Sequence, residues 1–198
     1  MAPVETKGSA QIHPNSGKRK AGSPVLLTSN NHEIYIMKKD HLQPVTVTVG
    51  IITVSSSRTP ETDTSGLAIS EMMKKAGFAV THYHIVPDRV DAIRGELGRA
   101  KEHANCIIIN GGTGLTHDDC TIEAVAPLLE KTIDGFGELF RMLSFQDIGT
   151  SALLSRAVAG TFHNRIVFCI PGSTPAVTLA VTKLIAPEIV HILSHATK

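Results

Sequence analysis

Three consecutive isoleucines, Ile107 to Ile109, run straight into Asn110-Gly-Gly-Thr-Gly114, and no other stretch limits the possible folds as tightly. An apolar strand that stops at such a turn belongs to a β-sheet whose strand ends are occupied by loops rather than hairpins. Glycine at 111, 112 and 114 allows positive φ and lets main-chain N–H groups come close to a ligand. Successive N–H groups in that geometry form an anion-binding concavity. Asp118 and Asp119 follow closely enough to hold the cation that accompanies a polyphosphate. The stretch predicts phosphate or nucleotide chemistry at the carboxyl end of a strand, where open α/β sheets bind their ligands.

The rest of the chain fits that architecture from Val45 onward. Val45–Val54 is a β-branched run that reads as a buried parallel strand. Thr64 or Ser65-Gly66 opens a helix that Gly77 closes as its C′ residue. Phe78–Val86 is a second strand, and Asp88–His103 a helix with Val90, Ile93 and Leu97 at i, i+3, i+7. Cys106–Ile109 is the third strand. Thr121–Leu129 and Phe136–Leu143 are helical, and Arg165–Ile170 is a further buried strand ending at Pro171-Gly172-Ser173. The last helix starts near Ser173, carries Pro175 in its first turn, and is expected to bend at Pro187 on its way to His191. Alternating strands and helices of this length imply a doubly wound α/β sheet.

Residues 1–44 are different in kind. They carry six Lys or Arg against three Asp or Glu, with little periodicity and a short basic cluster, Lys18-Arg19-Lys20. The composition fits a disordered or surface-lying extension, and the basic run is too short to make a nucleic-acid arm the better reading. Glu33–Met37 adds a short strand or an arm that grips a neighbouring subunit. With 198 residues, the chain has one domain, residues 45–198, beside that extension. A net charge of +1 points to neither nucleic acid nor a membrane surface. The apolar runs are strand-sized, no secretory leader is evident, and Cys106, Cys120 and Cys169 lack ligand spacing. A cytoplasmic, reduced protein is expected. The ten histidines are scattered and read as ordinary surface and packing residues.

Three strand-to-helix turns should converge at one sheet edge: Thr53–Arg58 with Asp63-Thr-Ser-Gly66, then Gly111–Asp119, then Pro171–Thr174. Each alone is a common helix start, but three together favour a polyanion site. Asp88 reads either as an N-cap or as a carboxylate facing the same pocket as Asp119, and Asp118 and Asp119 either cap the next helix or hold a cation. Ser155-Arg156 offers a hydroxyl and a guanidinium to a phosphate, or is a plain helix end. Gly-Gly-Thr-Gly is neither a dinucleotide fingerprint nor a Walker loop.

Together these motifs resemble the MoaB/MogA family of molybdenum-cofactor biosynthesis proteins over about Val45–His191. The elements that carry the likeness are Thr53–Arg58, Asp63–Gly66, Ile85–Asp88, Asn110–Asp119, Gly135–Ser144, Leu154–Gly160 and Ile170–Ser173. The resemblance implies a three-layer α/β/α sandwich with a mostly parallel sheet, assembled as homotrimers or homohexamers. It implies transfer of AMP from Mg·ATP to the terminal phosphate of molybdopterin, with release of pyrophosphate and later insertion of molybdate by a partner protein. Asp88 and Asp119 would be the catalytic and Mg²⁺-binding acids. Substrate and nucleotide would meet Ser55, Ser57, Asp63, Ser65, Gly66, Gly111, Gly112, Thr113, Gly114, Ser144, Ser155, Arg156, Pro171, Gly172 and Ser173. The segments around Gly135–Phe145 and Gly149–Gly160 are similar to the MoaB branch, some members of which bind molybdopterin without catalysis. Retention of Asp88 favours an active enzyme here, whereas Ser56 stands where many members have Asp.

Overall fold

The β-branched runs Thr48–Val54, Cys106–Asn110 and Arg165–Ile170 become strands here because each is covered on both sides. The computed structural model describes residues 45–196 and, before them, two strands, Val25–Ser29 (β1) and His32–Ile36 (β2). These two pair antiparallel as a separate unit, Val25 opposite Ile36 and Ser29 opposite His32. The strand expected over Glu33–Met37 is thus one arm of a hairpin. The basic cluster and the remaining extension lie outside the described residues.

The main unit continues with Thr48–Val54 (β3), Thr64–Lys75 (α1), Ala79–Val86 (β4), Val90–Ala100 (α2), Cys106–Asn110 (β5) and Thr121–Val125 (α3). Lys131–Thr132 (β6), Asp134–Ile148 (α4), Val158–Phe162 (β7), Arg165–Ile170 (β8), Thr174–Ala180 (α5) and Ala186–Ala196 (α6) complete it. The sheet order is β4-β3-β5-β8-β7-β6. The first four strands run parallel, and β7 and β6 are added antiparallel.

Alternation along the strands divides the core into two layers. Val49, Ile51, Ile108, Ile166 and Phe168 face α1, α4, α5 and α6, where they meet Ile69, Met73, Phe140, Val177, Ile185 and Ile189. Ile52, Ile107, Ile109, Val167 and Cys169 face the opposite way, onto Ile93 and Leu97 of α2 and Val125 of α3. The three isoleucines of β5 have no exposed surface, each contributing about 2 kcal/mol relative to an exposed position. The result is the three-layer α/β/α sandwich with a mostly parallel sheet.

Two local expectations changed. The chain after β5 does not return by another parallel strand alone: β7 reaches β8 through His163 and Asn164, both at positive φ (47° and 61°). Paired positive φ values at two central residues make a hairpin turn that matches strand twist. The last helix departs from α geometry over Val181–Ile185, a π turn just before Pro187, rather than bending at the proline itself. Thr174–Ala196 is also long and apolar enough to cross a membrane by length and composition, which the strand-sized runs did not foretell. Its Val177, Val181, Ile185, Ile189 and Leu193 are fully buried against the sheet.

Topology fixes where a ligand can sit. From β3 the chain crosses to β4 on one side, and from β5 it moves away on the other. The turns after β3 and β5 therefore diverge and leave a crevice at their carboxyl ends.

Candidate functional site

A cavity of about 580 Å³ occupies that crevice, lined by Val54, Ser55, Ser57 and Arg58 after β3 and by Gly111–Gly114 after β5. Pro171, Gly172 and Ser173 after β8 close its third side, with Asp88, Asp119, Leu154 and Ser155 around the mouth.

The first turn is built by its own hydroxyls. Ser55 Oγ accepts the N–H groups of Ser57 (3.3 Å) and Arg58 (3.2 Å), curling the chain back after the strand. Arg58 then reaches inward, donating to Asp63 Oδ1 at 3.1 Å, to the Ser65 hydroxyl, and to the carbonyl of Gly172 at 3.0 Å. Its guanidinium ties the first turn to the third. Asp63 has no exposed surface. It caps α1 through the Gly66 N–H at 3.0 Å and accepts the Tyr83 hydroxyl at 2.6 Å. Burial acts to raise its pKa, but hydrogen bonds from Thr53, Tyr83, Gly66 and Ser65 outweigh that and hold it below the ordinary carboxyl value. Burial, together with Asp63, pushes the Tyr83 hydroxyl well up. Ser65 continues the network to Asn110 Oδ1 at 2.7 Å, and Asn110 donates to Thr53 Oγ1 at 2.9 Å.

The two acids in the cavity are each anchored by one oxygen. Asp88 Oδ2 accepts both the N–H and the hydroxyl of Ser56, each at 2.7 Å. It therefore does not cap α2, whose N-cap is Arg89 without a side-chain bond. Asp119 Oδ2 accepts the N–H (2.9 Å) and hydroxyl (2.5 Å) of Thr116. The Thr116 hydroxyl is the main reason its pKa lies below the ordinary value, opposed by burial and aided by the N–H groups of Thr116 and Gly114 and by Arg156. Neither Asp118 nor Asp119 caps α3, whose N-cap is Cys120.

Both carboxylates border the glycine turn. Gly112 has φ +59°, and a β-carbon there would stand 3.1 Å from Asp88 Oδ1 and 2.7 Å from Thr121 Oγ1. One added at Gly114 would stand 2.8 Å from Asp119 Oδ2. Thr121 pins the turn by donating twice, its N–H to Gly112 O and its hydroxyl to Gly111 O, both at 2.8 Å. Gly111 N–H is bonded to Ile170 O at 3.1 Å, while among the described residues the N–H groups of Gly112 and Thr113 have no acceptor. Across the cavity floor, a β-carbon on Gly172 would come within 2.9 Å of Gly111 Cα, so the second and third turns meet backbone to backbone.

Of the residues expected at the site, Ser55, Ser57, Asp88, Gly111, Gly112, Thr113, Gly114, Asp119, Ser155, Pro171, Gly172 and Ser173 line this cavity. Asp63, Ser65 and Gly66 do not; they lie buried beneath it as the network that holds Arg58. Arg156 instead bonds Gly114 O at 3.0 Å and pairs with Glu123, so it braces the second turn. Ser144 donates to Phe140 O of its own helix at 2.8 Å and faces a smaller adjoining cavity that Ser155 and Ser173 also border. Arg58 and Leu154 line the cavity without having been singled out. The signal for Arg58 was its place at the end of the Thr53–Arg58 run. Tyr83 carried no local signal, because its partner lies 20 residues away.

Residues 50–191 match the family described as a probable molybdopterin binding domain. Molybdenum cofactor biosynthesis protein B of Bacillus cereus is 51% identical over 152 residues, 75% of this chain and 90% of that protein. The crystal structure of a molybdenum cofactor biosynthesis protein B superposes with a TM-score of 0.74 at 50% identity, covering 78% of this chain and 98% of the other. The tungsten cofactor synthesizing protein MoaB from Pyrococcus furiosus gives 0.71 at 37% identity, over 79% of this chain and 100% of that one.

Proposed function

The chain belongs to the molybdenum cofactor biosynthesis protein B family, and from that premise we propose that it works in molybdenum cofactor biosynthesis as a molybdopterin adenylyltransferase. It binds molybdopterin and Mg·ATP and moves AMP onto the pterin's terminal phosphate, releasing pyrophosphate. The observation that carries this reading is the placement of Asp88 and Asp119, from two different loops, against one glycine turn with unused N–H groups.

Charge supports it. The cavity lining contains two carboxylates and one guanidinium, and that guanidinium is already engaged with Asp63 and Gly172. Such a lining favours a polyanion only together with a divalent cation. A donor set of carboxylate oxygens completed by substrate phosphates is what Mg²⁺ prefers, and Asp88 and Asp119 are the residues that would hold it. When bound, the cation neutralises phosphate charge as it shifts towards the leaving group.

The remaining work falls to the chain's own groups. Gly112 and Thr113 N–H groups hold phosphate oxygens from fixed positions, with no rearrangement needed during the reaction. Ser155 and Ser173 present hydroxyls at the mouth for the pterin phosphate. An oxygen of that phosphate forms a new bond to Pα while the bond from Pα to the pyrophosphate oxygen breaks. The nucleophile is already anionic, so no general base is required. Assembly into trimers or hexamers belongs to the same reading, with the exposed side of α4 (Leu139, Met142, Phe145 and Ile148) as its apolar contact.

Incubation of the purified chain with molybdopterin and Mg·ATP tests the proposal, following adenylylated pterin by chromatography and pyrophosphate by coupled assay. Both products are expected. Asp119→Asn should lower turnover on the order of 10²-fold, as for loss of one transition-state stabilising group, with little change in pterin affinity. Equal losses in the two would argue against a metal role, and bound pterin without either product would make this a binding protein.

A further inference from the structure

On the face of β4 that α2 covers lies a cluster that the cavity does not use. His82 and His84 alternate along β4 and so face the same way, towards Glu96 of α2. His82 Nε2 lies 2.6 Å and His84 Nδ1 3.8 Å from the same carboxylate oxygen, Oε1. The other oxygen, Oε2, accepts Arg99 Nε at 2.9 Å and Nη2 at 2.5 Å. Exposure falls from 57% at the His84 side chain to 8% at His82 and 2% at Glu96. His82 is stacked between two further imidazoles, with centroids 4.6 Å from His84 and 5.5 Å from His103.

We propose that His82, His84 and Glu96 bind one borderline divalent transition-metal ion of the Zn²⁺ type. Their three donor atoms lie within 4.8 Å of one another. Around tetrahedral zinc, with ligand bonds of about 2.0–2.2 Å, donor atoms stand roughly 3.3–3.5 Å apart. The cluster brackets that spacing, so small side-chain rotations suffice to admit the ion. Two imidazoles and a carboxylate suit zinc, copper or nickel better than magnesium. Arg99 holds the carboxylate by the oxygen that would not ligate, which is the outer-shell support metal sites require. His82 is likewise held by stacking. The exposed His84 forms the rim and leaves a coordination position open to water. The ion would clasp the sheet's edge strand to α2.

A simple ion pair, buried Glu96 with the largely exposed Arg99, is the competing account, and it gives the two imidazoles no joint role. Calorimetric titration of the full chain, freed of metal by chelation, with ZnCl₂ in magnesium-free buffer distinguishes them. One Zn²⁺ per chain is expected, with an absorption-edge spectrum showing two imidazoles in the inner shell. His84→Ala, at an exposed position that leaves folding intact by circular dichroism, should weaken binding at least about tenfold, the lower end of what even an outer-shell loss costs. Asp119→Asn should leave it unchanged, because that acid belongs to the separate cavity. Absence of saturable binding overturns the proposal, as does parental affinity in His84→Ala or loss of the ion in Asp119→Asn.

Discussion

A carboxylate with no access to water keeps its charge only if donors surround it, and Asp63 is so surrounded by Arg58, Tyr83 and the Gly66 N–H. Its folded pKa is lowered, so its stabilisation is complete above the unfolded carboxyl value of about 3.9 and is lost as pH falls through the folded value. Asp63→Asn should cost on the order of 3 kcal/mol near neutral pH, as expected when one member of a buried charged network is removed. Urea denaturation at a series of pH values should show the gap between parent and variant narrowing below about pH 3.9. A gap independent of pH would mean that Asp63 titrates alike in the folded and unfolded chain. Residues of this kind were half legible. Asp63 sits before a helix, so its capping role is local, but its clasp on Arg58 and Tyr83 is tertiary. Asp88 shows the same limit: the local pattern allows a cap, and Ser56, 32 residues earlier, decides otherwise.

Among elements, the parallel strands β3, β5 and β8 were legible because burial on both faces leaves long apolar runs, and Arg165–Ile170 matches its prediction at both ends. The β7 strand was not legible. Val158-Ala-Gly-Thr-Phe162 has small residues where a strand normally shows bulk, and His163-Asn164 is not the Asn-Gly pair that marks a two-residue hairpin. The glycine turn was read from composition, and two substitutions separate its conformation from its space. Gly77 has φ +89° with nothing within 4 Å of a β-carbon, so Gly77→Ala should cost only the left-handed strain, about 1–2 kcal/mol, and leave ligand binding alone. Gly112→Ala adds crowding against Thr121 and Asp88. It should cost more in chemical denaturation and weaken ATP binding at least about tenfold, about 1.4 kcal/mol. Equal behaviour of the two variants would show that the turn holds no ligand.

For the molecule as a whole, α4 carries the clearest unspent surface. Phe136 and Phe140 are buried in the core, whereas Leu139, Met142, Phe145 and Ile148 form an exposed stripe three residues apart, continued by Leu153 and Leu154. The sequence showed a Phe-containing segment that fitted either a core helix or a contact between subunits, and the helix has a face for each. Phe145→Glu with Leu139→Glu should convert trimers or hexamers to monomers in light scattering, since each buried apolar side chain contributes about 1.5–3 kcal/mol. Monomers in the parent would remove that role from the stripe. Three of the histidines were the opposite case: His82, His84 and His103 carried no ligand spacing in the sequence yet are gathered on one side of β4 by alternation and stacking. Where Gly111 and Gly172 touch, the pocket owes its outline to atoms that are missing. A methyl group on Gly172 would act as a wedge against Gly111, and one on Gly111 would drive into the Val54 carbonyl at the end of β3, so these segments can drift only in concert and the proposed nucleotide would rest on a floor that does not shear.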